Sequence, residues 1–334
     1  MSFIPWPIWG SHPKMSNKIQ YGHHSGEILD ERDGYFVVAC KTCILNHVLP
    51  LPSEAFLADY YATHFYQVSK ADYVERYERD REWWELHHQY TVNQALRHLR
   101  GSTAHADEDD WEYPLYVLDV GAGPGIFLDV AKRSGFVTFG IELNKQVAEL
   151  SRSRGHAVWV GTLQDYRYSR HEPLFHMVHL YEVLEHVPDP EEFLYQCRDL
   201  LDHGGVLHVV VPNDYSPLQL LAQERCNLPR WWLAPPEHLN YFEPKSLQLM
   251  VRRVGFRIVD IRGTFPMEKF LLNGDIYVGD DELGRKCHTE RMRYEMEAHR
   301  NGQFESLMDE YRENMSDPYS GTIGREICLT AIKE

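Results

Sequence analysis

A chain of 334 residues with a formal net charge of -16 carries no broad cationic face, so nucleic acid, whose phosphates are held by clustered Lys and Arg, is not an expected partner. No stretch approaches the ~20 uninterrupted apolar residues of a membrane span, and the apolar opening 1–10 holds two prolines and no basic lead, unlike a secretory leader. The six cysteines at 40, 43, 197, 226, 287 and 328 form no disulfide framework, which suits a reducing, cytoplasmic setting.

In chain order, residues 1–65 read as loop-rich, with Pro, Gly and His punctuating short apolar runs. His24, Cys40, Cys43 and His47, with His23 as a substitute for His24, offer nitrogen and sulfur ligands at spacings that suit a tetrahedral structural zinc. Residues 66–110 form a helical linker: 70–99 lack Pro and Gly and alternate charge with aromatics at helical spacing, predicting a long helix or a helix pair. The acidic run 107–110 reads as solvated loop.

From 111 to 262 short apolar runs alternate with amphipathic segments, the pattern of βαβ units and a parallel sheet. Strands are predicted at 115–119, 136–141, 156–160, 175–180, 206–211 and 256–262. Helices are predicted at 125–134, 145–154, 190–202 and 245–254, each with a glycine stop nearby. Residues 263–324 are charged and less regular, an insertion or lid, and 325–334 carries a last strand returning to the sheet.

The segment 119–125 joins a buried strand to a helix and reads Asp-x-Gly-x-Gly-x-Gly. Asp119, Gly121, Ala122, Gly123 and Gly125 would let a ligand approach the backbone with no Cβ in the way. A dinucleotide fingerprint needs a third glycine where Ile126 stands, which disfavours a nicotinamide oxidoreductase. Glu142, closing the next strand, is placed to hold both ribose hydroxyls of an adenosine, and the turn has no basic residue for a pyrophosphate. Adenosylmethionine carries no phosphate and needs none.

At these residues the chain resembles the class I S-adenosylmethionine-dependent methyltransferases. VLDVGAGPG at 117–125, GIELN at 140–144, the turn 161–164, HLYEVLEHVPDP at 179–190 and HGGVLHVVVPN at 203–213 follow that family's order. The resemblance implies a Rossmann-like α/β fold, a seven-stranded sheet with helices on both faces, and S-adenosylmethionine as cofactor. It also implies that Leu163, Tyr181 and Glu182 line the donor site. One departure is His176, where the family often has Asp. The stretch 34–66 resembles the metal-ribbon segment ahead of some sugar-modifying methyltransferases, although one of their two Cys-x-x-Cys pairs is missing. It implies methyl transfer to a small molecule such as a nucleotide-linked sugar or another polar metabolite. The non-enzymatic alternative is a cofactor-binding partner subunit that has lost catalysis.

Beyond the fourth strand, Glu182, Glu185 and His186 admit three readings: a turn-defining cap, a general base at His186, or a divalent-metal site. The Pro- and aromatic-rich stretch 231–242 reads as a lid, with His238 and Tyr241 as candidates for substrate contact or proton transfer.

Overall fold

The computed structural model describes residues 18–69, 72–102, 114–169, 174–316 and 323–334. The acidic run 107–110 and the apolar opening 1–10 lie outside these residues.

The described part of the first zone, from residue 18, is not loop-rich. It forms an antiparallel meander, β1 (Lys18–Tyr21), β2 (His24–Arg32), β3 (Tyr35–Cys40) and β4 (Leu45–Leu49). The strands are hard to see because β2 and its exposed edge carry Glu27, Asp30, Glu31 and Arg32. A half-solvated sheet needs apolar residues on one face only, and here Val37 and Val48 supply them. Then α1 (Glu54–Asp59), capped by Ser53, continues as a π-helical run Tyr60–Ser69. The helical zone is a pair, α2 (Tyr73–Arg79) and α3 (Arg81–Ser102).

The alternating region gives β5 (Leu115–Val120), α4 (Ile126–Arg133), β6 (Phe136–Glu142), α5 (Lys145–Ser153), β7 (Ala157–Val160) and α6 (Leu163–Ser169). It continues with β8 (Phe175–Tyr181), α7 (Pro190–Leu200), β9 (Leu201–Pro212) and α8 (Pro217–Arg225). After them come β10 (Asn240–Tyr241), α9 (Pro244–Arg253) and β11 (Phe256–Gly263). The predicted strands fall within a residue or two of these bounds, except that β9 starts five residues earlier than 206.

The sheet runs β11-β12-β9-β8-β5-β6-β7, with β12 (Glu326–Lys333) antiparallel to both of its neighbours and the rest parallel. Its central strands bury both faces. Leu118, Val178 and Leu207 meet α7 and α9 through Leu194 and Met250, while Val117, Met177 and Val206 meet α3 and α4 through Ala95 and Val130. This is the Rossmann-like arrangement, and it opens a crevice beyond the carboxyl ends of the strands.

Residues 263–324 are more regular than their charge suggests, holding α10 (Glu268–Leu272), α11 (Asp281–Arg300) and α12 (Phe304–Ser316). Charged residues three and four apart pair along α11, as Arg293 does with Glu290 and Glu297, so the helix is solvated on most of its surface. Its buried side holds Glu295, which accepts from Trp83 Nε1 at 2.5 Å and from the Tyr311 hydroxyl at 3.0 Å. Burial pushes its carboxyl up, but His87, Arg291 and the donated hydrogen bonds outweigh burial and hold it at about 2. That depression stabilises the fold above the unfolded-state value of about 4.3, and the stabilisation is lost as pH falls from there toward 2. Glu295→Ala is expected to cost about 3–5 kcal/mol at neutral pH, measured by guanidinium unfolding, because it strands buried Arg291.

Candidate active site

The turn after β5 is held from both sides. The Gly121 and Ala122 amides donate to the Ile141 carbonyl at 2.8 and 3.0 Å, fastening the turn to the end of β6. Gly121 has φ 77° and Gly125 φ 89°. A Cβ would stand 2.7 Å from Val183 Cγ2 at the first and 2.5 Å from Ser151 Oγ at the second, so both conformation and space demand glycine. Glu142 is buried with Oε2 accepting from Gly123 N at 3.0 Å and Oε1 from Asn144 N at 2.8 Å. Its carboxylate is thereby fixed against the turn.

Asp119 turns inward: its Oδ1 lies 2.7 Å from His179 Nδ1, both residues being buried. Leu163 opens α6 in the same apolar cluster as Ile141. Tyr181 ends β8 with its ring edge-on to Trp84, and Glu182, at φ 51°, donates its amide to Val210 O. Above the turn, α2 brings the Tyr73 hydroxyl within 3.4 Å of where a Gly123 Cβ would be. Tyr73, Tyr77 and Trp84 stack in succession at 4.4 and 4.5 Å. Burial holds the Tyr73 and Tyr77 hydroxyls protonated, well above their ordinary range. A narrow pocket remains between α2 and the turn, lined by Tyr73, Tyr77, Asp119, Gly121, Pro124 and Tyr181 among others.

A short 3₁₀ turn, Leu184–His186, follows β8. His186 Nδ1 lies 2.7 Å from the Glu237 carbonyl oxygen and 2.9 Å from the Tyr61 hydroxyl, which itself donates to that carbonyl at 2.9 Å. A carbonyl only accepts, so the proton sits on Nδ1 and Nε2 carries the lone pair. Glu185 is buried beside it, Oε1 being 3.8 Å from His186 Nε2, and neither carboxylate oxygen has a hydrogen-bond partner among the described residues. Burial, reinforced by the charge of Glu182, pushes the Glu185 carboxyl well above the usual range.

The loop before β10 brings His238 to His186, with ring centroids 5.1 Å apart, and sets His238 Nδ1 3.9 Å from Asp214 Oδ2. Ligand atoms of Glu185, His186 and His238 all lie within 4.8 Å of one another, a spacing suited to proton relay or to a divalent cation. Tyr241 is placed differently. It is 1% exposed in the cluster of Val37, Val48 and Trp232, with its hydroxyl 3.4 Å from Ala234 N, under the loop rather than in the crevice.

In the small sheet, the His24, Cys40, Cys43 and His47 ligand atoms also converge within 4.8 Å. Cys43 Sγ is 3.2 Å and Cys40 Sγ 3.7 Å from His24 Nδ1. His47 directs Nδ1 to the Val48 carbonyl at 3.1 Å, and its buried Nε2 has no hydrogen-bond partner among the described residues. Burial opposes ionisation of Cys40, yet the Cys43 and Thr42 amides hold its thiol below the ordinary value. Burial and the neighbouring Cys40 push Cys43 up to about 12. Two sulfurs and two imidazole nitrogens at these distances fit a zinc ion.

Several contributors were not foreseen. Tyr61 reaches His186 across 125 residues, and nothing local marks it. Tyr73 had a signal: with Tyr77 and Trp84 it forms an aromatic stripe in a zone otherwise read only as a linker.

A family model described as a methyltransferase domain matches residues 69–261. Among curated proteins, a ubiquinone biosynthesis O-methyltransferase of Shewanella sp. (strain ANA-3) is 25% identical over 201 residues, 57% of this chain and 84% of that protein. One of the same name from Xylella fastidiosa (strain 9a5c) is 28% identical over 196 residues, 54% of this chain and 76% of that protein. Among solved structures, a magnesium protoporphyrin IX methyltransferase from Synechocystis PCC 6803 has a TM-score of 0.47 at 13% identity, covering 84% of this chain and 100% of that one. An Archaeoglobus fulgidus methyltransferase has a TM-score of 0.45 at 16% identity, covering 77% and 99%.

Proposed function

From a chain that belongs to the methyltransferase-domain family and is an S-adenosylmethionine-dependent methyltransferase, we propose O-methylation of a small polar acceptor, with His186 as the general base. Asp119, Gly121, Ala122, Gly123, Gly125, Glu142, Leu163, Tyr181 and Glu182 form the donor site, Glu142 taking the ribose hydroxyls. Transfer is an in-line displacement: the acceptor oxygen forms a bond to the methyl carbon as the carbon–sulfur bond breaks. The chain's task is to align the two and to receive the hydroxyl proton.

The observation that carries the base assignment is the fixed tautomer of His186, with Nδ1 tied to the Glu237 carbonyl and the lone pair left on Nε2. His238 contacts the acceptor, and Tyr241 positions the loop that bears it. Oxygen as the acceptor atom is supported by the relatives' names, which specify O-methyltransferases. No residue of the described site bears on the nucleotide-linked sugar implied by the ribbon segment. Structural zinc at His24, Cys40, Cys43 and His47 belongs to the same proposal.

Incubating the protein with methyl-labelled S-adenosylmethionine and a metabolite extract, followed by mass spectrometry, tests the activity; a labelled product with a new methyl ether supports it, and no labelled product overturns it. Gly121→Val is expected to weaken S-adenosylmethionine binding by about 10- to 100-fold in calorimetry, as 1–3 kcal/mol of backbone strain implies. The orphaned Glu185 oxygens favour a second reading, a divalent cation on Glu185, His186 and His238. Turnover abolished by EDTA and restored by Mg²⁺ would select it over the metal-free base.

A further inference from the structure

Next to the donor pocket, and sharing His88, His179 and Tyr181 with it, lies a second chamber between α3, α11 and the sheet. Its floor comes from the carboxyl-end side of the crevice, with Tyr181 on β8, Val210 on β9, Cys328 on β12 and Thr264 just beyond β11. That position borders the donor pocket on the carboxyl-end side of the sheet, the side on which open α/β sheets bind their ligands.

Two arginines enter this chamber and they are not alike. Arg291 is 5% exposed and balanced in charge: Glu295 and Glu326 each lie 3.7 Å away and its guanidinium rests on the Trp83 ring, although its Nε, like a nitrogen of Arg262, has no hydrogen-bond partner among the described residues. Arg262 is 3% exposed and is not balanced. Its guanidinium lies over the Tyr90 ring at 5.2 Å, and Nη1 is buried with no hydrogen-bond partner among the described residues. The acid nearest in sequence, Asp260, accepts from Arg312 Nε at 2.6 Å. His88 and His208 offer no negative charge, since burial holds both imidazoles neutral.

A buried guanidinium with an unsatisfied N–H is costly, and its planar fork is suited to a carboxylate or a phosphate, of which the singly charged carboxylate matches one uncompensated cation. We propose that this chamber takes the carboxylate end of the acceptor, paired with Arg262, while the acceptor's hydroxyl reaches toward His186 and His238, so that the enzyme methylates a hydroxylated organic acid. This rests on the methyltransferase reading above and narrows its substrate class. The methyl donor carries a carboxylate too, so the test must separate the two sources.

The full chain is saturated with S-adenosylhomocysteine, which fills the donor carboxylate's place, and then titrated with benzoate and with its neutral counterpart benzamide. Trp83 and Trp84, in the chamber wall, report occupancy by fluorescence, with calorimetry alongside. The expected result is benzoate binding about ten-fold or more tighter than benzamide, as for a charge-assisted hydrogen bond. In Arg262→Gln the preference is expected to vanish while S-adenosylhomocysteine affinity stays unchanged. Equal affinity of the two probes for the wild-type chain overturns the proposal whatever happens to the variant. So does a loss of S-adenosylhomocysteine affinity in Arg262→Lys, a charge-retaining variant with altered fork geometry, because the arginine would then serve the donor. Failure of the wild-type chain to bind S-adenosylhomocysteine at all would instead remove the methyltransferase reading itself.

Discussion

Replacing His186 by alanine is expected to lower kcat by about 10²- to 10⁴-fold, the usual contribution of a positioned general base, with little change in the dissociation constant for S-adenosylmethionine. The split follows from the site's two halves. His186 is held by Tyr61 and the Glu237 carbonyl, whereas the donor cradle hangs on Glu142, the Gly123 amide and the Ile141 carbonyl. His186→Asn tests the tautomer argument: its amide can still donate to Glu237 but brings no basic nitrogen, so it should restore the geometry without the rate. Tyr61→Phe removes one of the two acceptors on Nδ1 and should cost less, roughly ten-fold. A His186→Ala enzyme with unaltered kcat would end the assignment, and rapid turnover by the His186→Asn enzyme would show that geometry alone suffices.

Removal of zinc is the second large expected effect. The small sheet has only a thin apolar cluster of its own, Val37, Val48, Trp232, Leu233 and Tyr241, of which three come from the lid loop. A tetrahedral ion tying β2 to the β3–β4 turn would contribute several kcal/mol, so stripping it with a chelator should lower Tm by about 10 °C or more. Cys43→Ser should do the same without any chelator, and metal analysis should find about one zinc per chain in the freshly purified wild type and much less in the variant. Turnover should fall as well, because β4 pairs with β10 through His47 and Asn240. The Val48 amide donates to Leu239 O, and the Leu239 amide to Glu185 O, each at 2.8 Å. A metal-free wild-type protein with unchanged melting would remove the ion from the account.

The central parallel strands were legible because they are buried on both faces and therefore read as short runs dominated by apolar residues, as 206–211 does within β9. The turn 119–125 was legible because the glycine requirement is local: Gly121 and Gly125 are demanded by their own φ and by immediate neighbours. The small sheet was not, since β2 alternates half-buried and exposed residues and its charges resemble loop. β10 is two residues long and exists only because β4 offers it an edge. Tyr241 reads beside His238 as a candidate for substrate contact or proton transfer, but the β10 pairing turns its side chain under the loop. Arg262 was invisible for another reason. On a strand it reads as an ordinary polar edge residue, and only α3 and α12 closing over it make it a buried charge.

The π-helical run Tyr60–Ser69 touches both halves of the chemistry at once. The Ala62 carbonyl accepts from Asn144 Nδ2 at the end of the donor strand, while the adjacent Tyr61 holds His186. Wider turns of this kind make poorer backbone hydrogen bonds than an α-helix and tend to occur where function needs them. A donor settling on Glu142, whose Oε1 accepts from the Asn144 amide, therefore also acts on the imidazole through one turn of chain. Linkage makes that influence mutual: acceptor in the crevice should tighten the grip on the donor, and the spent cofactor should leave more slowly while product remains. The order in which the two ligands enter and depart would then depend on a ten-residue run that bridges the two sites.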